Sequence, residues 1–199
     1  MLQRLWSWVL RCLAVGGNER VTRIAILGWG SLIWDQRDLP TNGGWSESGP
    51  TLPLEFSRKS SDGRLTLVID TEHGRDLPTR YSESARADVE DAVCDLMHRE
   101  GTNRGNIGRV NRSAACPADP IEARIWRWAV DHNFDFVLWT KLEPKIPEDW
   151  GEFSVQRAET YLRGLPRVCR GRAREYIVNA PTEVKTPLRE HIREWLKES

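Results

Sequence analysis

The sequence predicts an α+β fold, a small mixed sheet with flanking helices and a helical C-terminal region. Three observations carry this expectation. The apolar run Ile24-Ala-Ile-Leu27 ends in Gly28-Trp29-Gly30-Ser31, the pattern of a buried strand that runs into a tight turn. Leu52–Arg58 and Leu65–Ile69 flank Ser60-Ser61-Asp62-Gly63, which reads as a β-hairpin with Asp-Gly at its tip. Ala85, Val89, Ala92, Val93, Leu96 and Met97 fall on one stripe at helical spacing.

The elements follow in chain order. Met1 to Val15 is apolar and Trp-rich, but Arg4 and Arg11 interrupt it. It is too short and too charged to span a bilayer, and it lacks a signal peptide's exit motif. Residues 1–20 are therefore expected to form an N-terminal extension, an amphipathic helix without stable membrane insertion. Residues 21–199 form the single domain. After the first strand, Asp35 to Pro50 is a long loop rich in Gly, Pro, Ser and Asn, of the kind that often serves function. The hairpin follows, then an extended piece around Leu77 to Tyr81.

The stripe-bearing helix is expected to be capped by Ser84, with Asp88, Glu90 and Asp91 in its early turns and Gly101 as a left-handed stop. Thr102 to Ala118 reads as loop with one short strand. Asp119-Pro-Ile-Glu122 is a helix start, with an acidic cap and Pro in the first turn. That helix runs to about His132, with Asn133 ending it. Phe134–Trp139 is a strand. Helices follow from Ser154, from near Gly171 to before Pro181, and from Thr186-Pro187.

Composition narrows the function classes. Lys plus Arg and Asp plus Glu both number 29, so the formal net charge is zero and no global field draws the chain to nucleic acid or an anionic membrane. Arg157, Arg163, Arg167, Arg170, Arg172 and Arg174 cluster late, but Glu152, Glu159 and Glu175 alternate with them, as on a solvated, salt-bridged helical face. No nucleic-acid partner is expected. Cys12, Cys94, Cys116 and Cys169 are widely spaced, and so are the four histidines. They read as reduced thiols of a cytoplasmic protein, with neither a metal nor another cofactor implied.

Two features carry chemistry. In the turn from Gly28 to Leu32, small residues let the backbone approach a ligand closely, and converging N–H groups can hold an anionic or carbonyl oxygen. Trp29 and Trp34 are candidate walls of such a pocket. The second feature is Glu100, which lies four residues after Leu96 and three after Met97. Its carboxylate thus shares the apolar face of the helix, at the end where the helix dipole disfavours negative charge. A buried carboxylate there needs a partner or a task. Pairing with Arg99, Arg104 or Arg109 is the structural alternative to a role as general acid/base.

Together, Gly28-Trp29-Gly30-Ser31-Leu32 and the later Arg99-Glu100-Gly101 resemble the γ-glutamylcyclotransferase-like superfamily over roughly Ile24 to Val110. The Gly-Trp-Gly-Ser-Leu-Ile-Trp signature is similar to that of a bacterial branch of that family. The resemblance implies a small barrel-like sheet with flanking helices. It implies that Gly28, Trp29, Gly30, Ser31, Leu32 and Trp34 bind a small γ-glutamyl substrate and that Glu100 moves the protons. The implied reaction is intramolecular aminolysis of a γ-glutamyl amide, which releases 5-oxoproline and an amine, with glutathione among the candidate substrates. Two departures stand out. Trp29 occupies the place of the family's usual Tyr, removing a phenol donor, and Leu32 stands where an Asn often follows the Ser. These departures support an alternative, a non-catalytic binding or regulatory module on the same fold. The sequence leaves the oligomeric state open.

Overall fold

The computed structural model describes residues 21–197; the expected N-terminal amphipathic helix lies outside them. The chain runs β1 (Ile24–Gly28), β2 (Thr51–Lys59), β3 (Leu65–Ile69), β4 (Arg75–Pro78), β5 (Arg80–Glu83), α1 (Val89–Glu100), β6 (Ile107–Asn111), α2 (Pro120–Asp131), β7 (Phe136–Thr140), α3 (Val155–Gly164), α4 (Arg167–Asn179) and α5 (Pro187–His191). The strands form two sheets, one ordered β5-β1-β7-β6 and the other β3-β2-β4. The fold is α+β as expected, but the sheets do not close into a barrel. The chain passes from one sheet to the other between β4 and β5 at Thr79, whose buried hydroxyl donates to the Pro50 carbonyl at 2.6 Å. The expected single extended piece around Leu77 to Tyr81 is therefore two strands in two sheets.

β1 explains its own apolar run. It pairs antiparallel with β5 and parallel with β7, so both its edges and both its faces are covered. Alternate residues reach opposite sides of the sheet. Ala25 and Leu27 join the large core that also holds Leu52, Leu54 and Phe56 of β2. Ile24 and Ile26 pack instead with Ala92, Val93 and Leu96 of α1. A strand buried on both faces must be apolar throughout, and its C-terminal end is thereby delivered into the interior.

The helix starts are mostly where the sequence puts them. Asp119 caps α2, Ser154 caps α3 and Thr186 caps α5, each by accepting from backbone N–H groups. Gly101 stops α1 in the left-handed region at φ 61°. Ser84 does not cap α1: Asp88 does, accepting from Glu90 and Asp91, while the Ser84 hydroxyl accepts from Arg86 N–H at 3.2 Å. Ser84 is held in a bridge to Thr41, and the chain cannot enter a helix until it leaves that bridge. α4 begins at Arg167, four residues before the expected start near Gly171, because Pro166 already presets an extended N-cap at φ −51°.

No helix among the described residues is long and apolar enough to cross a membrane. Cys94, Cys116 and Cys169 are free thiols. Of the late arginines, Arg170 and Arg174 turn inward on the carbonyls of Leu165 and Leu196, and Arg163 pairs with Glu159.

Candidate active site

The turn after β1 and the end of α1 open onto one cavity of about 260 Å³. Leu27 to Leu32 line it from one side, Arg99 and Glu100 from another, and the β2–β3 hairpin supplies Arg58, Arg64 and Thr66. Residues separated by about seventy positions in sequence meet because β1 ends beside the C-terminal end of the helix that packs on its Ile24–Ile26 face.

The turn leaves no room for a larger residue at two positions. A Cβ on Gly28 would lie 2.6 Å from the Trp45 ring, and one on Gly30 would lie 2.8 Å from the Tyr176 hydroxyl. The loop beyond is folded by bonds from Ile33 N–H to the Gly30 carbonyl and from Asp35 N–H to the Ser31 carbonyl. The N–H groups of Gly30 and Leu32 donate to no backbone carbonyl among the described residues, and both residues line the cavity.

Glu100 is not an isolated carboxylate. Arg99 Nη1 donates to its Oε1 at 2.7 Å, with the two side chains 4% and 17% exposed. Arg99 also donates to the Asp35 carbonyl and reaches Ser31 Oγ at 3.4 Å. This one guanidinium ties the helix end to the turn and supplies the counter-charge that a carboxylate on an apolar face requires. Arg37, in the left-handed region at φ 52°, donates to the Arg99 carbonyl at 3.0 Å. It covers the helix end where carbonyls lack partners.

The remaining predicted residues divide. Ser31 and Leu32 line the cavity as expected. Trp29 lines it too, but its indole is anchored in the core, donating to the Leu67 carbonyl at 3.2 Å. Trp34 is not a wall: it is absent from the lining residues and packs edge-on against Tyr176, ring centres 5.4 Å apart. The folded loop carries it behind the site, where it supports a residue that does line the cavity.

Tyr176 is that residue, and local sequence reasoning missed it. It comes from α4, far along the chain, and is buried against Phe56 and Trp34. Burial pushes its phenol up from the ordinary tyrosine value; backbone hydrogen bonds from Leu67 and Ser31 and the charge of Arg64 oppose this, and the charge of Glu100 adds to it. The turn lacks a phenol at position 29, yet a phenol stands against it. The one sequence signal was a lone Tyr among the arginines of a helix otherwise poor in large apolar residues.

The cavity thus joins backbone N–H donors, a hydroxyl, a phenol, a carboxylate held by arginine and additional guanidiniums. This set can bind a zwitterionic or anionic small molecule and can shuttle a proton at its centre. Among the described residues no cluster of His, Cys, Asp and Glu is arranged to hold a metal ion. The chain matches no protein-family model, no curated protein and no solved structure at a significant level.

Proposed function

We propose that this chain is a γ-glutamylcyclotransferase-like enzyme that converts a γ-glutamyl amide into 5-oxoproline and a free amine. The observation that carries the reading is that the Glu100 carboxylate and the Gly28–Leu32 turn line one small cavity. In this reading the substrate's α-amine attacks its own side-chain carbonyl carbon. A new C–N bond closes the five-membered ring, and the bond to the leaving nitrogen breaks. Holding the substrate folded makes the attack intramolecular and supplies much of the acceleration.

Glu100 takes the proton from the attacking ammonium group and returns it to the departing nitrogen. The N–H groups of Gly30 and Leu32 face the oxygen on which charge develops. The Tyr176 phenol lines the same cavity and can donate its proton to the substrate. Trp29 shapes the wall, and Ser31 acts through hydrogen bonding. The reading calls for no cofactor and no nucleic-acid partner.

One observation favours the second reading, a binding or regulatory module. The 2.7 Å bond from Arg99 engages Glu100 Oε1 in an ion pair, which leaves one carboxylate oxygen fewer for proton transfer to a substrate. Incubation of the full-length chain with γ-glutamyl compounds, with 5-oxoproline measured by mass spectrometry, separates the two. Release of 5-oxoproline that is lost in Glu100→Gln supports the enzyme. Tight binding of a γ-glutamyl compound without turnover supports the module.

A further inference from the structure

We infer that the amine released at this site carries two acidic groups, so that the substrate joins a γ-glutamyl group to an acidic amino acid; this rests on the cyclotransferase reading and names its substrate class. The argument begins with charge. The cavity is lined by Arg37, Arg58, Arg64 and Arg99 against a single carboxylate, Glu100. Asp35 and Asp62, which pair with Arg37 and Arg64 beside the cavity, reduce the positive excess but do not reach Arg58, and a γ-glutamyl head, zwitterionic with one carboxylate and one ammonium, adds no net charge to answer it.

The arginines also differ in how they are satisfied. Arg99 is paired with Glu100 at 2.7 Å, and Arg37 lies 3.4 Å from Asp35; both belong to the turn-and-helix end of the cavity. The hairpin end is different. Arg58 donates to the Glu143 carbonyl at 2.6 Å and meets no carboxylate among the described residues. Arg64 Nε lies 2.7 Å from Asp62 Oδ2, but its buried N–H is not aimed well enough to make a hydrogen bond. Its guanidinium carbon stands 5.2 Å over the Tyr176 ring, which orients it without removing its charge.

The hydroxyls nearby are already committed to the hairpin itself. Ser60 Oγ has its one proton between Asp62 Oδ1 at 2.5 Å and the Arg64 carbonyl at 3.0 Å, and Thr66 Oγ1 donates to the Arg58 carbonyl. What the hairpin offers a ligand is therefore the Arg58 guanidinium, which meets no carboxylate among the described residues, and the N–H groups of Arg64 that its ion pair with Asp62 leaves over; such forked donors match carboxylates. The β2–β3 register shifts between Glu55 and Arg58, and such irregularities commonly re-aim side chains beside sites. A neutral leaving amine would cover Arg58 and offer it no counter-charge.

The test uses the purified full-length chain and three substrates that share one head: γ-glutamyl-glutamate, γ-glutamyl-alanine and γ-glutamyl-ethylamide. Their leaving amines carry two, one and no carboxylates. The expected result is a fall in kcat/KM of about tenfold at each lost carboxylate, carried mainly by KM. Arg58→Gln should lower the ratio of kcat/KM for γ-glutamyl-glutamate over γ-glutamyl-ethylamide by about tenfold, a ratio that does not depend on how much of the variant folds. Equal kcat/KM for all three substrates in the wild-type chain would overturn this inference and leave the cyclotransferase reading standing. An undiminished ratio in both Arg58→Gln and Arg64→Gln would overturn the assignment to the hairpin. Release of 5-oxoproline from none of the three overturns the cyclotransferase reading and this inference with it.

Discussion

Glu55 and Glu100 are both glutamates in the interior of one small fold, and the structure treats them in opposite ways. Glu55 is 0% exposed and meets no cation among the described residues. Its oxygens accept backbone N–H groups, Phe56 at 2.7 Å and Leu188 at 3.0 Å, and Thr186 adds a side-chain hydrogen bond. It ties the start of α5 to the middle of β2. Loss of water pushes its carboxyl up from 4.5 to about 7, those hydrogen bonds oppose the rise, and the charge of Asp70 adds to it. Glu100 is answered by Arg99 and faces a cavity. The difference teaches that burial alone does not mark a functional acid. A carboxylate consumed by backbone donors is structural; one held by a single guanidinium and left open on its other side is available to a ligand.

The largest expected effect breaks the comparison at Glu100. Glu100→Gln should lower 5-oxoproline release by about a thousandfold, the scale of a lost general acid/base, while circular dichroism shows a retained fold. Loss of fold instead would make Glu100 structural like Glu55.

Next comes a pH titration that sharpens the comparison at Glu55. Its folded-state value lies above its unfolded one, so between about pH 4.5 and 7 the folded chain holds a proton that the unfolded chain has released. Stability from this group is therefore fully present below that window and declines as pH rises through it, by on the order of 3 kcal/mol in total. Denaturant unfolding at several pH values should show the decline in the wild-type chain, and Glu55→Gln should flatten it. The same slope in both chains would remove Glu55 as its source.

Tyr176→Phe should cost about 1 kcal/mol of stability, the scale of one lost hydrogen-bonding group in a buried side chain. It should also reduce kcat/KM; a stability loss with unaltered kcat/KM would confine Tyr176 to packing. The smallest effect tests the helix start. Asp88→Ala should cost about 1 kcal/mol of thermal stability and Ser84→Ala distinctly less, the reverse of the order expected for a Ser84 cap.

Several elements were legible in the residues because their signals are local. Asp119-Pro120, Ser154, Thr186-Pro187 and Gly101 act through backbone groups a few positions away, and each does in the structure what its sequence context implies. The Ile24–Leu27 run announced a fully covered strand for the same reason. Ser84 misled because a cap is decided by where the chain becomes free to coil, and a bridge from a distant loop decided that. The expected barrel failed because closure depends on how strands β4 and β5 divide between sheets at Thr79, which no local pattern encodes. At the site, Gly28–Leu32 and Glu100 could be singled out from spacing and burial cost. Arg58, Arg64 and Tyr176 could not, since each reaches the cavity through contacts between elements distant in the chain.

The sequence by itself determined the buried first strand and most helix caps and stops, that Glu100 sits on a face where charge must be compensated, and that the turn after β1 admits close approach. Those properties depend on short-range geometry, the 3.6-residue period and the steric freedom of glycine. Only the tertiary structure decided that the turn and the carboxylate share one cavity, that Arg99 bridges them and that a phenol arrives from α4. Such meetings are settled when β1 is buried between two layers, because packing, rather than any neighbouring residue, chooses which distant side chains converge.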